Sequence, residues 1–543
     1  MLPISYTPSK NTQRITQSLP APVKGLNSIS PLAEMDPNFS IQCNNFVASR
    51  SGLTPRQGYY QWATGIPTDI TSLIPYNSKS GSSNKLFAVA GGDIYDVTLA
   101  GAVGTPVVTG LTSSWCQYIQ QTVTAGSTTY LIVVNGVDAP YLYNGSTWTP
   151  CSQTAGGGGP GVFSTLDQNG NAIDINAFVD CALYEGYLFF CMEGSTIAYY
   201  TGFGACGGQL YAFDFGQYFP RGGYLQKLAT WTMDFGGLIG TKNVLVGISN
   251  KGDVVVYQGT DPNSASSWSL QGYWQLGAPV GQRCTTMLNG DLAYLSKDGL
   301  FTISKYLQST RVDTSSALTY QISPTINGLI SSYGTQKGWE VIIYPGNNLL
   351  LLNAPATTQA DNIQFCFQTT NSAWTSFSGW SAGCWALFND QLYFGGTGYV
   401  GLAFQGYTDG ADYTGTGGVS IPATCLQAYS NFNFPGLKQV KAVKPFFLTS
   451  SVSPTLQVGI NTDFNVNPIT ATSNVITPPT GSLWDVGLWD TATWGTQQIT
   501  YNEWATPTSF PGMYVSLAIA IQTSAALTWT ATSFVMTAGQ MIG

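Results

Sequence analysis

The sequence contains no histidine. That removes the Ser-His-Asp and Cys-His relays of nucleophilic hydrolases, imidazole-bound zinc and any imidazole titrating near neutral pH. Other groups suited to chemistry are sparse. Glutamate occurs five times, at 34, 185, 193, 340 and 503, and no two stand in a run that marks a paired carboxylate acid and base. The ten cysteines (43, 116, 151, 181, 191, 206, 284, 366, 384 and 425) form no C-x-x-C pair and match no zinc-ribbon spacing. Most lie in apolar runs, where a free thiol acts as a small buried hydrophobe. The glycine run at 156–160 is followed by no Lys-Ser/Thr, so it reads as a loop and not as a phosphate cradle. The stretch DPNSASSW, 261–268, reads as a helix cap or an Asx turn. One Asp and one Asn are too few for calcium. The residues therefore point to no catalytic group, no metal ligand set and no cofactor.

Charge is the next constraint. Only 8% of the 543 residues are charged, against about 25% in an ordinary soluble protein. With 43% hydrophobic and 13% aromatic residues, the chain can bury a large core and does not have the high charge of disorder. The net charge of −8 rests on 27 acids and 19 bases, and the bases are segregated. Residues 86–220 contain nine acids and no Lys or Arg. Residues 338–437 and 445–543 also lack bases, which leaves Lys438, Lys441 and Lys444 as an isolated cluster. Two readings stand: chance in a charge-poor chain, or an acidic end and a more basic end suited to head-to-tail stacking or to a channel that repels DNA. In the second reading Asp93, Asp138 and Asp174 are channel-wall candidates, and the Lys cluster belongs to an interface.

The elements that must position these residues are strands. No long segment carries a helical period, and turns with Gly, Asn or Asp recur every ten or so residues, the signature of an all-β chain. A short apolar strand, a turn and a second strand recur from Asn84, Thr128, Tyr184, Lys242, Asn289, Asn347 and Asn389. Successive starts are 44, 56, 58, 47, 58 and 42 residues apart, and a four-stranded propeller blade takes about 40–50 residues. The expectation is a six- or seven-bladed β-propeller over 61–425. An N-terminal arm or platform segment precedes it over 1–60, and an antiparallel β platform domain follows over 426–543, packing with that first segment. Trp484, Trp489 and Trp494 are spaced five apart, which fits neither a strand nor a helix. They read as anchors of a long loop or as aromatic hot spots of a subunit interface. The N-terminus is polar and reads as no signal peptide. The apolar stretch 513–521 is short of the ~20 residues of a membrane span, so no membrane span is expected.

One partial likeness fails. YLYNGSTW, 141–148, keeps Gly145, Thr147 and Trp148 of the sialidase-type hairpin motif, but Tyr141 and Tyr143 stand where Ser and Asp belong. With six arginines in 543 residues, a substrate-binding triad is hard to assemble.

Three longer phrases resemble a known family. They are LPAPVKGLNSISPLAEMDPNFSIQCNNFVASRSGLTPRQGY (19–59), VVVYQGTDPNSASSWSLQGYWQLGAPVGQRC (254–284) and NSAWTSFSGWSAGCWALFNDQLYFG (371–395). Together they are similar to the tail nozzle or hub proteins of podovirus-type bacteriophages, the tail tubular protein B and packaged-DNA stabilisation hub type. The resemblance spans roughly 19–450 and is weak beyond. It implies a structural virion protein of the viral tail, assembled in the host cytoplasm as a homo-hexameric ring below the portal and adaptor rings. Such a ring continues the conduit for double-stranded DNA without sequence-specific binding, retains and releases the genome, and docks tail fibre, spike or needle proteins. No catalytic residue carries over. The N-terminal segment and Lys438–Lys444 would then face the adaptor. The competing expectation is a carbohydrate-binding or polysaccharide-degrading propeller, a tail-associated depolymerase.

Overall fold

The computed structural model describes residues 13–123, 128–234, 241–264, 266–308, 314–449, 454–466, 474–475, 499–501 and 504–539. Its strands form a seven-bladed β-propeller joined to an antiparallel β-sandwich. Each blade is a meander that starts at the axis. The inner strands, in order, are the second half of Tyr59–Tyr76, then Gln117–Thr122, Phe178–Tyr184, Leu225–Asp234, Thr285–Leu288, Glu340–Tyr344 and Cys384–Phe388. The seven hairpins legible in the sequence are the second and third strands of these seven blades, such as Lys85–Ala90 with Asp93–Asp96 and Leu349–Ala354 with Ile363–Gln368. Left-handed turn residues make several of them tight: Gly91, Gly92 and Gly252 sit at positive φ, where glycine carries no Cβ penalty. Inner strands begin on one face of the disc, here called the upper face, where the middle hairpins also turn.

The ring is closed by one strand. Tyr59–Tyr76 is 18 residues long. Its first half pairs with Thr397–Ala403 as the outer strand of blade 7, and its second half pairs with Lys85–Ala90 as the inner strand of blade 1. Neighbouring blades share apolar layers: Leu131 and Phe87 between blades 1 and 2, Phe189 and Tyr257 between blades 3 and 4, and Trp380 and Phe394 between blades 6 and 7. Blade 5 departs from the all-strand expectation. It has three strands, and helices follow, including Ser323–Tyr333. Ile326 and Ile330, one turn apart, are the buried residues of that helix, and two apolar positions are too few to stand out as a period in sequence.

The sandwich is built from both ends of the chain. In one sheet Leu527–Ala538 lies between Gln13–Pro20 and Lys438–Thr449, the first pairing running from Gln13 opposite Ala538 to Pro20 opposite Ala531. Phe46–Ser49 and Gly52–Pro55 extend it. The other sheet carries Ser40–Asn44, Ala423–Gln427, Val515–Gln522 and Thr455–Thr462 in that order. Phe46, Val443, Ile519, Trp529 and Phe534 pack between the two sheets. Asn44 also pairs with Ser376 on the outer strand of blade 6, so the sandwich is continuous with the propeller at its rim.

Gly58, just before the closure strand, tests how tightly the ring is shut. A Cβ there would lie 1.9 Å from the Thr408 carbonyl oxygen, whereas at Gly104 it would meet nothing within 4 Å. Gly58→Ala is expected to destabilise by about 2 kcal/mol or more, and Gly104→Ala to stay within about 0.5 kcal/mol. Denaturant midpoints for the two variants check this.

Candidate functional site

In a chain this poor in charge, each buried charge needs a reason, because an unpaired one is costly. Two places concentrate them. The first is the propeller axis. Arg283 enters at the start of blade 5 and donates to the Thr71 carbonyl (3.1 Å), Ser72 Oγ (2.7 Å) and the Cys116 carbonyl (3.0 Å) of blades 1 and 2. It also pairs with Glu340 of blade 6 at 3.2 Å. Glu340 in turn accepts from the Trp385 backbone N–H of blade 7 (3.3 Å). The guanidinium lies 3.8 Å over the Trp115 ring, whose Nε1–H donates to Gln282. Lys227 of blade 4 pairs with Asp180 of blade 3 at 2.9 Å, and Asp180 also accepts from the Leu228 N–H (3.1 Å). All seven blades are thus tied near the axis by two ion pairs. Burial pushes the Glu340 carboxyl up, with Arg283 only partly offsetting it. Burial opposes the Lys227 charge, but the Asp180 carboxylate outweighs it and holds the ammonium above its usual range.

These residues are absent from the candidates drawn from the sequence. The signal that marks them is a lone charge inside an apolar run: FVDCALY around Asp180, YLQKLATW around Lys227 and GWEVIIY around Glu340. A cavity of about 350 Å³ remains between them, lined by Gln117, Tyr118, Lys227, Arg283, Glu340 and Trp385 among others. The Gln117 amide nitrogen and the Trp385 indole N–H have no protein partner there among the described residues.

The second place is the joint between sandwich and propeller. Arg56 is fully buried, and its five N–H donors are all used. Nε donates to Asn45 Oδ1 (2.9 Å), Nη1 to the Gln57 carbonyl (3.1 Å) and Nη2 to the Ser378 carbonyl (2.7 Å). The other two grip the Asp409 carboxylate side by side at 2.8 and 2.6 Å, a bidentate geometry that lysine lacks. The guanidinium also lies 4.8 Å over the Trp380 ring. Asn45, in the left-handed region at φ 60°, accepts from the Ser378 N–H and donates to the Pro422 carbonyl.

The residues singled out in the sequence fall elsewhere. Asp93, Asp138 and Asp174 lie on no inner strand, so none lines the propeller's own axis. All three stand at turns of the upper face and hold backbone there: Asp93 accepts from Gly110 N–H, Asp138 from Thr112 N–H, and Asp174 from Asn176 N–H. Hydrogen bonds from Thr112 and Asn135 outweigh the opposing effect of burial and hold the Asp138 carboxyl below its usual range. Lys441 is exposed and Lys444 half-buried, the latter 5.5 Å over the Trp504 ring. Lys438 is withdrawn from that surface: it is buried, donates to the Met513 carbonyl, and burial lowers its pKa. Trp484, Trp489 and Trp494 lie outside the described residues. Asp261 does form the expected Asx turn, accepting from Asn263 N–H at 2.9 Å. Among the described residues no group of His, Cys, Asp or Glu is arranged to hold a metal. No helix among them is long and apolar enough to cross a membrane.

No protein-family model and no curated protein matches the chain. Among solved structures it is similar to BBS1N, solved in complex with ARL6DN, at 11% identity and TM-score 0.37, over 63% of this chain and 97% of that one. It is also similar to a glycoside hydrolase family 43 arabinoxylan arabinofuranohydrolase from Bacillus subtilis, at 9% identity and TM-score 0.26, over 88% of this chain and 96% of that one. At these TM-scores neither likeness bears on function.

Two measurements follow from the buried groups. Arg56→Met is expected to cost about 3–5 kcal/mol, because it strands the Asp409 carboxylate. The double variant with Asp409→Leu should recover about 1 kcal/mol or more of that loss, read as non-additivity in denaturant midpoints. All ten cysteines are buried and unbridged, and burial pushes Cys116, Cys151, Cys206, Cys284 and Cys384 up to about 12. Thiolates, the reactive form, are therefore scarce at pH 8. Alkylation at pH 8 should label fewer than about one thiol per native chain and all ten after denaturation.

Proposed function

We propose that this chain is a structural subunit of a short-tailed bacteriophage virion, forming the nozzle or hub ring below the portal and adaptor. One observation carries the reading. The three phrases that resemble that family are separated in sequence and converge on the two buried ion-pair clusters. Asn45 and Arg56 come from the first phrase, and Ser378 and Trp380 from the third, and these four meet at the joint. Arg283 closes the second phrase, and its partner Glu340 binds the backbone of Trp385 in the third. The first and third also meet where Leu26 N–H donates to the Trp374 carbonyl at 2.7 Å. The resemblance therefore rests on groups that hold the scaffold together, as suits a protein whose work is its shape. In this role the chain is no enzyme. DNA passes along the assembled ring without sequence-specific binding, and tail fibre, spike or needle proteins dock on it.

A second reading, a glycan-binding or glycan-cleaving propeller, has one observation in its favour. Glu340, Gln117 and Trp385 all line the axial cavity, and the side-chain N–H groups of the last two have no protein partner among the described residues, donors suited to hydroxyl-rich ligands. Glu340 is already committed to Arg283, which favours the structural reading.

Electron microscopy of the purified chain, alone and with the adaptor ring of a short-tailed phage, separates the two. Six-fold rings are the expected result. A monomer under both conditions that binds or cleaves polysaccharide, with cleavage lost in Glu340→Gln, overturns the structural reading.

A further inference from the structure

The charge of this molecule is divided between two separate surfaces. Residues 86–220, which build most of blades 1–3, carry nine acids and no base. The rest of the chain has 19 bases and 18 acids (27 less 9), so the whole net charge resides in those blades. Five of the nine acids sit on the upper face: Asp93, Asp138, Asp174, Glu193 and Asp214, the last three exposed. On blades 4–6 the same face is mixed, with Arg221, Lys251, Lys297 and Lys337 beside Asp253, Asp298 and Asp361.

The counterpart is the solvent side of one sandwich sheet. Its three long adjacent strands, Gln13–Pro20, Leu527–Ala538 and Lys438–Thr449, contain no carboxylate. Arg14 and Lys441 are exposed there, with Lys444 half-buried between them and Trp504. The remaining solvent-side positions are neutral, among them Thr16, Ser18, Ser533 and Thr537. The other side of the sheet faces the sandwich core, so this side is a wide surface with no partner within the described residues.

The two surfaces belong to separate parts of the fold. The sandwich pairs with the propeller at blade 6, and in a seven-blade ring blades 2 and 3 lie across the axis from blade 6. Opposite charges on separate surfaces suit a heterologous contact, in which one patch meets a different patch on the next copy and rotation closes the ring. We infer that the Arg14–Lys441–Lys444 face of one copy docks on the acidic upper face of blades 1–3 of a second copy. This inference rests on the ring reading above and names the surfaces that make the ring.

Charge reversal on each side tests it. Lys441→Glu with Lys444→Glu is one variant, Asp174→Lys with Glu193→Lys the other, and the quadruple variant carries both. None of the four residues belongs to the axis or to the joint, and melting temperature checks that each variant folds. Assembly is read by sedimentation at low and high salt, since contacts between exposed charges are screened by salt. Each double variant should weaken self-association at least about tenfold at low salt, and the quadruple variant should restore it. Rings that persist unchanged in both doubles, or a quadruple variant no better than either double, overturn the inference while the ring reading stands. Loss of adaptor binding in the Lys variant with self-association intact assigns the cationic face to the adaptor and also overturns it. A wild-type chain that stays monomeric at every concentration and salt, with and without the adaptor ring, overturns both.

Discussion

Closure of the ring is the constraint on which the remaining structure depends. An open seven-blade array would leave two exposed apolar sheet faces, and such faces invite association with other chains. Tyr59–Tyr76 removes both at once, because its two halves belong to the last and first blades. The strand must therefore enter at a fixed place and angle. Arg56 and Gly58 set both. The guanidinium pins the chain to Asn45, Ser378 and Asp409 three residues before the strand starts, and the missing Cβ of Gly58 lets the backbone lie against Thr408. The same arginine joins sandwich to propeller, so ring closure and domain placement share one fastening.

The low charge content acquires a structural meaning from this. A burial cost falls on every charge taken from water, and this chain buries few. Three of those it does bury stand where several elements must be held in one geometry: Arg56 at the joint, and Asp180 and Glu340, with their partners Lys227 and Arg283, at the axis. A hydrophobic side chain packs well in many orientations, whereas a guanidinium with five satisfied donors has one. The ion pairs define positions more than they add stability. Apolar layers between neighbouring blades supply the bulk of the driving force.

Local features of the fold were legible in the sequence, and distant ones were not. The seven middle hairpins could be found because each is a contiguous run with an Asn, Gly or Asp turn, as in NKGDVVVYQG after Ile248. Their neighbours were harder. Outer strands vary from blade to blade, and in blade 5 helices follow the third strand, with only Ile326 and Ile330 to mark the longer one. The pairing of Gln13 with Ala538 depends on residues more than 500 apart, for which one sequence holds no register signal. Asp180, Lys227, Arg283 and Glu340 were passed over for the same reason, since each looks like a lone charge until the ring brings them to one axis. Asp93, Asp138 and Asp174 drew notice as acids in a base-free stretch, and the structure gives each a local task at a turn of the upper face.

The closed axis bears directly on how such a protein can serve a tail. Arg283, Trp115 and Glu340 meet at the propeller axis, and the cavity among the inner strands is about 350 Å³, far too small for a duplex. DNA in the proposed assembly can only pass between copies, along a passage the propellers surround. The walls of that passage are then outer surfaces of this chain, not its axis. A surface with five acids and no base across three blades binds phosphate poorly. If that surface were wholly exposed to the passage, the cationic sheet of the sandwich would have nothing to balance it in the ring. Docking the two against each other spends part of the acidic face on assembly and leaves the rest to repel the strand that passes. One asymmetric charge distribution then serves both closure of the ring and release of what it encloses.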